Sequence, residues 1–229
     1  MQQLSDIRVG NFTSSEIYRL MATPKKANEY VLEKNFERKL KRSLSSEVNS
    51  KPINWGHLCE PFAFDLLDTS YLIESKKTLS HPEIPYWLGT PDVLKNCSSV
   101  VGDIKCPYTL KSFCQLVSCI NENDLRKNHE QGEKYFWQLI SNACVLGIEK
   151  VELIIYCPFE SDLEEIKQIA INSGEPNYYF VTYSQGELPF LIEGSDFKNI
   201  NILSFEAKKE YKKQLNNAVL KYGKDLISA

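Results

Sequence analysis

The segment Gly89-Thr90-Pro91-Asp92 is followed, with ten residues between the two aspartates, by Asp103-Ile104-Lys105. Side chains on a strand alternate faces, so Asp103 and Lys105 point one way and Ile104 packs the other. Asp92 ends the preceding stretch, which can return beside residues 100–105 as a hairpin. Two carboxylates and one ammonium then meet at a single point. Hydrolysis of a phosphodiester asks for such a set. The carboxylates hold a divalent cation that polarises the phosphate and acidifies a bound water, and the ammonium positions that water and offsets developing negative charge. Oxygen donors select Mg2+ or Mn2+ over zinc. The plain alternative is a hairpin with a surface ion pair, and this spacing alone does not separate the two.

Glu60 adds a third carboxylate. Its helical neighbours Gly56, Ala63, Phe64 and Leu67 form an apolar side, where a carboxylate is costly unless it is paired or bound to metal. Gly56, one turn earlier, leaves space for a close approach. The alternative is a glutamate paired with Arg or Lys from another element. Gln138 shares a helix face with Tyr135, three residues before it, and its amide can both donate and accept, so it can orient a water or a phosphate. Taken alone it is a routine helix residue.

These groups need a scaffold. A short helix is expected over 14–22, capped by Ser14 or Ser15, with Ile17, Leu20 and Met21 facing inward. A second is expected over 29–45, with Leu32, Phe36, Leu40 and Leu44 as its apolar stripe and Lys34, Arg38, Lys39, Lys41 and Arg42 as a basic remainder, either a solvated face or a DNA-backbone contact. A polar linker over 46–54 leads to a central helix over 55–67. Strands are expected at 71–74, 85–93, 100–105, 151–156 and 178–183. Further helices are expected at 129–146, 161–173 and 205–222, with a surface turn near Gly186. Helices around a strand group predict an α/β domain with a mixed sheet, and no linker divides residues 1–229.

Composition excludes little. The 229 residues carry a net charge of -3, which counts against a non-specific DNA coat but suits a nuclease that confines positive charge to one groove. The seven cysteines, Cys59, Cys97, Cys106, Cys114, Cys119, Cys144 and Cys157, form no CxxC pair or knuckle and read as small core residues in a reducing cytoplasm, so a zinc or iron–sulfur centre would have to assemble from distant positions. No secretory leader pattern is visible at Met1-Gln2-Gln3, and no run reaches membrane-spanning length, so no membrane partner is expected.

The order of these features resembles the phage lambda exonuclease / YqaJ recombinase family of PD-(D/E)XK nucleases. Arg8-Val9-Gly10-Asn11-Phe12-Thr13-Ser14-Ser15 is similar to its R-x-G-x-x-T-A-S opening, with Ser14 where alanine is usual. Trp55-Gly56-His57-Leu58-Cys59-Glu60-Pro61 resembles its G-x-x-x-E-P helix. His81-Pro82-Glu83 leading to Asp92 resembles the segment before its first metal aspartate, Asp103-Ile104-Lys105-Cys106-Pro107 its E-x-K-C-P strand, and Tyr135-Phe136-Trp137-Gln138 its Y-x-x-Q helix. The matches span residues 8–147, and the region after 160 carries no recognisable signature. The resemblance implies a restriction-endonuclease-like core, with Glu60, Asp92, Asp103 and the carbonyl of Ile104 as Mg2+ ligands (Mn2+ substituting), Lys105 as the catalytic lysine and Gln138 as a supporting residue. It implies that Arg8 and Ser15 bind the 5′ phosphate of a DNA end. An arginine fork and the free amides of a helix start beside Ser15 agree with that. It further implies 5′ to 3′ digestion of double-stranded DNA ends for recombination in a bacterial host, by a homo-oligomer, a ring-like trimer, with a single-strand annealing protein as partner. Two departures are Asp103 in place of the commoner glutamate and Val93 where glycine often follows the first aspartate. The remaining alternatives are a sequence- or structure-specific endonuclease on the same core and a catalytically inert DNA-binding protein.

Overall fold

The structure, a computed structural model, describes residues 7–44, 50–73, 77–95, 99–183 and 187–227. Cys97, the turn expected at Gly186 and residues 46–49 of the expected linker lie outside them. In chain order, β1 (Phe12–Thr13), α1 (Tyr18–Met21), α2 (Pro24–Leu40) and α3 (Lys51–Asp65) precede five short strands: β2 (Tyr71–Ile73), β3 (Leu79–Ser80), β4 (Trp87–Gly89), β5 (Val93–Lys95) and β6 (Val100–Lys105). Then come α4 (Leu110–Val117), α5 (Glu122–Asn128), α6 (Gly132–Leu146), β7 (Lys150–Tyr156), α7 (Leu163–Ser173), α8 (Tyr179–Tyr183), β8 (Ile200–Glu206) and α9 (Lys209–Gly223).

The sheet that carries the site has the order β2-β5-β6-β7-β8, with β6 and β7 parallel and the other pairs antiparallel. It is therefore mixed, as expected, with helices around it. The alternation along β7 divides two cores. Val151, Leu153 and Ile155 pack with α6 and α9, and Ile154 and Tyr156 pack with α3 and α7. A second, three-stranded sheet of order β1-β4-β3 ties the start of the chain to the segment before Asp92. The α6 helix starts hard against α5. A Cβ on Gly132 would lie 1.8 Å from the Leu125 carbonyl oxygen, so only glycine fits there.

Several expectations are corrected. Leu32, Phe36, Leu40 and Leu44 are exposed, and the inward side of α2 is Ala27, Tyr30, Val31 and Glu37. The reason is tertiary. Tyr30 packs on Phe12 and accepts from the Thr13 amide, while Glu37 accepts from the Gly10 amide at 2.8 Å and from Lys34 at 2.8 Å. The central helix starts at Lys51, with Pro52 in its first turn, so residues 51–54 are not linker. The apolar stretch 85–93 is two strands in two sheets, broken at 90–92. Residues 179–183 are helical despite their β-prone sequence, with Val181 buried, and 200–206 form a strand absent from the expected set. The 14–22 helix shrinks to Tyr18–Met21 with no side-chain cap, because Ser14 is buried and bonds to Ser141 at 2.7 Å and the Leu88 carbonyl at 3.2 Å. Cys59, Cys106, Cys119 and Cys157 are buried and Cys114 and Cys144 half-buried, all as free thiols. Among the described residues, no helix is long and apolar enough to cross a membrane.

Candidate active site

Strand β6 carries Asp103 and Lys105 on one side at its carboxyl end, the end at which open α/β sheets bind ligands. Asp103 is 1% exposed. Its Oδ1 accepts from Gln138 Nε2 at 2.7 Å, and its Oδ2 is met by the Lys105 ammonium. Ile104 points the opposite way, into the α3 core. Asp92 lies between β4 and β5 rather than at the end of a single strand, and β6 grips it twice. Its amide donates to the Gly102 carbonyl at 3.2 Å, and its Oδ2 accepts from the Ile104 amide at 2.7 Å. Val93 then starts β5 and pairs with Gly102.

The electrostatics follow from crowding acids in a dry place. Burial pushes the Asp92 carboxyl well above its ordinary range, and Asp103 and Glu60 add to this against the pull of Lys105 and the Ile104 amide. Burial also raises Glu60, opposed by Lys105 and His57 and reinforced by Asp103. Burial works against the charge of Lys105, but Asp103 and Asp92 outweigh it and leave the ammonium more basic than usual. The same ammonium lies over the Tyr135 ring, 5.2 Å from its centroid.

Two adjoining cavities open onto these groups. One of about 380 Å³ is lined by Glu60, His57, Asp92, Ile104, Phe64 and Ile73. The next, about 260 Å³, shares Glu60, His57 and Ile104 with it and adds Lys105, Gln138 and Ser15. Gly56 lines the second with open space beside it, as its position one turn before Glu60 suggested. Glu60, Asp92, Ile104, Lys105, Gln138 and Ser15 thus face one cleft, with Asp103 buried behind Lys105 and Gln138. Arg8 is exposed and is not among the residues lining it. The free helix-start amides expected beside Ser15 are corrected: the Glu16 and Ile17 amides bond back to Thr13 and Ser14 within the turn. Two lining residues escaped the sequence reading. Lys134 precedes Gln138 by one helical turn and His57 precedes Glu60 by three residues, so helix spacing was the available signal.

Among the described residues, no group of three or more His, Cys, Asp or Glu side chains is arranged to hold a metal ion as it stands. Asp92 is turned to the Ile104 amide, and Asp103 gives one oxygen to Gln138 and the other to Lys105. The chemistry of the donor set nevertheless fits a hard divalent cation: oxygen donors only, with Asp92 and Glu60 under electrostatic pressure that a cation would relieve.

No protein-family model and no curated protein matches the chain. Solved structures do. An alkaline exonuclease from Laribacter hongkongensis (LHK-Exo) superposes with a TM-score of 0.65 at 14% identity, covering 96% of this chain and 89% of that one. The same enzyme in complex with dAMP gives 0.64 at 15% identity, over 96% and 89% of the two chains. A phage-related exonuclease from Haemophilus somnus 129PT gives 0.65 at 13% identity, over 94% and 93%. The chain has the fold of these proteins, the restriction-endonuclease-like PD-(D/E)XK architecture.

Proposed function

We propose that the chain is a metal-dependent deoxyribonuclease, and within that class a 5′ to 3′ exonuclease of the lambda exonuclease / YqaJ type that digests linear duplex DNA from its ends. The observation that carries the reading is the meeting of Asp92, Asp103 and Lys105 at the end of β6, with Gln138 bonded to Asp103 and Glu60 facing the same cleft. Glu60, Asp92, Asp103 and the Ile104 carbonyl would hold Mg2+ or Mn2+, which when bound supplies a polarised phosphate and an acidified water. Lys105 keeps its charge between Asp103 and Tyr135 and presents it to the cleft, where it orients the attacking water and offsets charge on the phosphate oxygens. Gln138 fixes the rotamer of Asp103 and leaves that carboxylate no freedom to turn away. Ser15 offers a hydroxyl to a terminal 5′ phosphate, and Arg8, on the same segment, a guanidinium fork. On this reading the substrate is a double-stranded end, the working assembly a ring-like trimer, and the partner a single-strand annealing protein.

The test is digestion of end-labelled linear duplex with and without Mg2+, beside a closed-circular control. Linear DNA should be degraded only with Mg2+, and the circle should survive. Cutting of the circle would replace the exonuclease by an endonuclease on the same core. No Mg2+-dependent cutting of either would refute the nuclease reading.

A further inference from the structure

A cavity of about 340 Å³ opens at the end of α6 away from the cleft, between the turn after β3 and the first half of α9. It shares no lining residue with the cleft, and about 15 Å of helix separates Lys134 at the one from Cys144 at the other. Its floor is open at Gly147, which ends α6 at a φ of 71° and beside which a Cβ would meet nothing within 4 Å. One wall is a face of α9, where Asn216 follows Lys212 by one turn and Lys213 by three residues. The other is His81, stacked on the fully buried Trp87 at 4.7 Å between centroids and 4° between planes.

The groups around this space are donors. Nδ1 of His81 accepts from the Glu83 amide at 3.2 Å, so the neutral ring carries its proton on Nε2, which has no partner among the described residues. Burial holds the ring neutral by pushing its pKa down, against the pull of Glu83. Lys213 is exposed and has no ion pair among the described residues, and the half-buried Asn216 amide has no side-chain partner among them. Lys212 donates to the Ile148 carbonyl at 2.6 Å and keeps two further N–H groups. Bare carbonyls at the end of α6 would turn an anion away, but those of Cys144 and Ala143 accept from the Gly147 and Ile148 amides, and that of Ile148 from Lys212. The Cys144 thiol, its pKa pushed up to about 12 by burial, adds no charge. Glu83 is the one carboxylate among the lining residues, against two ammoniums.

We infer that this cavity binds a free tetrahedral oxyanion, inorganic phosphate or the phosphate of a small monoester, between Lys212, Lys213 and Asn216 on one side and the His81 Nε2–H on the other. Two ammoniums, an amide and an imidazole donor around a concave space fit phosphate oxygens. The surplus of positive charge argues against a cation, and the volume is that of a small-ligand pocket. The site stands apart from the cleft, whatever chemistry the cleft performs.

The test uses the full chain in EDTA and a phosphate-free buffer at about pH 7.5, where phosphate is largely a dianion. Inorganic phosphate and deoxythymidine 5′-monophosphate are titrated by calorimetry, with sodium chloride at matched ionic strength as the control. Phosphate should bind and raise the Tm, and chloride should do neither. Lys213→Gln should weaken phosphate binding roughly tenfold, as loss of a charge-assisted contact does. Asn216→Ala should act in the same direction to a smaller extent, and Lys209→Gln, which removes an exposed charge on the same helix, should bind as the parent does. The chain has three histidines, so imidazole NMR signals locate the anion: phosphate should move those of His81 and leave those of His57, which lines the cleft, in place. Equal affinities read at His81 would assign inorganic phosphate, and tighter binding of the nucleotide a phosphate monoester. The site would be overturned by absence of phosphate binding in the parent, or by parent-like binding in both Lys213→Gln and Asn216→Ala. Movement of His57 in place of His81 would put the anion in the cleft and overturn it too. So would displacement of phosphate by a duplex closed at both ends with hairpin loops, which would make these lysines a DNA-facing surface.

Discussion

Replacing Gln138 by glutamate turns a donor into an acceptor with almost no change of shape. Gln138 Nε2 lies 2.7 Å from Asp103 Oδ1, and the two residues are 8% and 1% exposed. A hydrogen bond to a charged acceptor contributes about 1.5–3 kcal/mol. Gln138→Ala loses that bond, but the side chain lines the cleft and water can partly replace it, so about 1.5 kcal/mol is expected. For a chain of this size that is a fall in Tm of roughly 3–6 °C. Gln138→Glu instead sets two carboxyls at hydrogen-bonding distance. Two unit charges 4 Å apart repel by about 4 kcal/mol at an effective dielectric constant of 20, enough to make the pair share a proton. The introduced carboxyl then has a folded pKa above its unfolded value of about 4.3. A raised folded pKa means that stability is kept at low pH and lost as pH climbs toward the folded pKa. Thermal melts in EDTA should therefore show the Gln138→Glu deficit growing between pH 5 and pH 8, passing that of Gln138→Ala, whose own deficit changes little. A Gln138→Glu deficit that ignores pH, or stays smaller than that of Gln138→Ala at pH 8, would refute the donor role.

Lys105→Ala should keep DNA and Mn2+ binding but cut at least about a hundredfold more slowly in single turnover, and Lys105→Arg should not rescue it, since a planar fork does not replace a compact ammonium between Asp103 and Tyr135. Parent-like single-turnover rates in either variant would count against the role. Asp92→Asn keeps an oxygen for the Ile104 amide, so it should abolish calorimetric Mn2+ binding without unfolding the protein. Because burial raises the Asp92 pKa, its charge destabilises the fold as pH rises, and the asparagine variant should melt higher than the parent in EDTA at pH 8. Burial pushes Glu37 up, but Lys34 and the Gly10 amide outweigh it and hold its pKa below the usual range, so its stabilisation is present above the unfolded pKa and lost as pH falls through the folded one. Urea midpoints of Glu37→Gln should accordingly drop less between pH 6 and pH 3 than those of the parent. Initial rates on duplexes differing only at the 5′ terminus should favour the phosphorylated end, and Ser15→Ala or Arg8→Ala should shrink that preference; equal rates in the parent would remove the end pocket.

What could be read in advance was local. The six-residue strand β6, the parallel strand β7 and the apolar α3 announce themselves by short-range pattern, and their bounds shift by only a few residues. The inward face of α2 did not, because Glu37 is held by the Gly10 amide, 27 residues away, and by Ser43 and the Leu44 amide, which lie past Leu40 where the helix ends short of its expected bound. β8 was missed because its half-buried alternation of Leu203 and Phe205 runs straight into the approach to α9. Tyr179–Tyr183 has the residues of a strand and is made helical by packing. Lys134 and Lys111 line cavities that exist only once α3, β6, α4 and α6 are assembled, so no spacing along one element marks them both.

The candidate site was legible for a different reason. Folding alone disfavours a carboxylate on the apolar side of α3, or one between Gly102 and Ile104 in a buried strand, and each is costly without a partner. Glu60 and Asp103 stand in those positions, and Asp92 is held near them by two backbone bonds of β6. A chain that kept such residues for stability would be expected to give each acid its own base. Here Lys105 is the one ammonium that the raised carboxyls of Asp92 and Glu60 both answer to, and it is already in contact with Asp103. The excess of acid over base inside one cleft is the imbalance that a bound cation would complete, and it sets Asp92 and Glu60 apart from Glu37 and Glu152, buried carboxylates with lysine and further donors of their own.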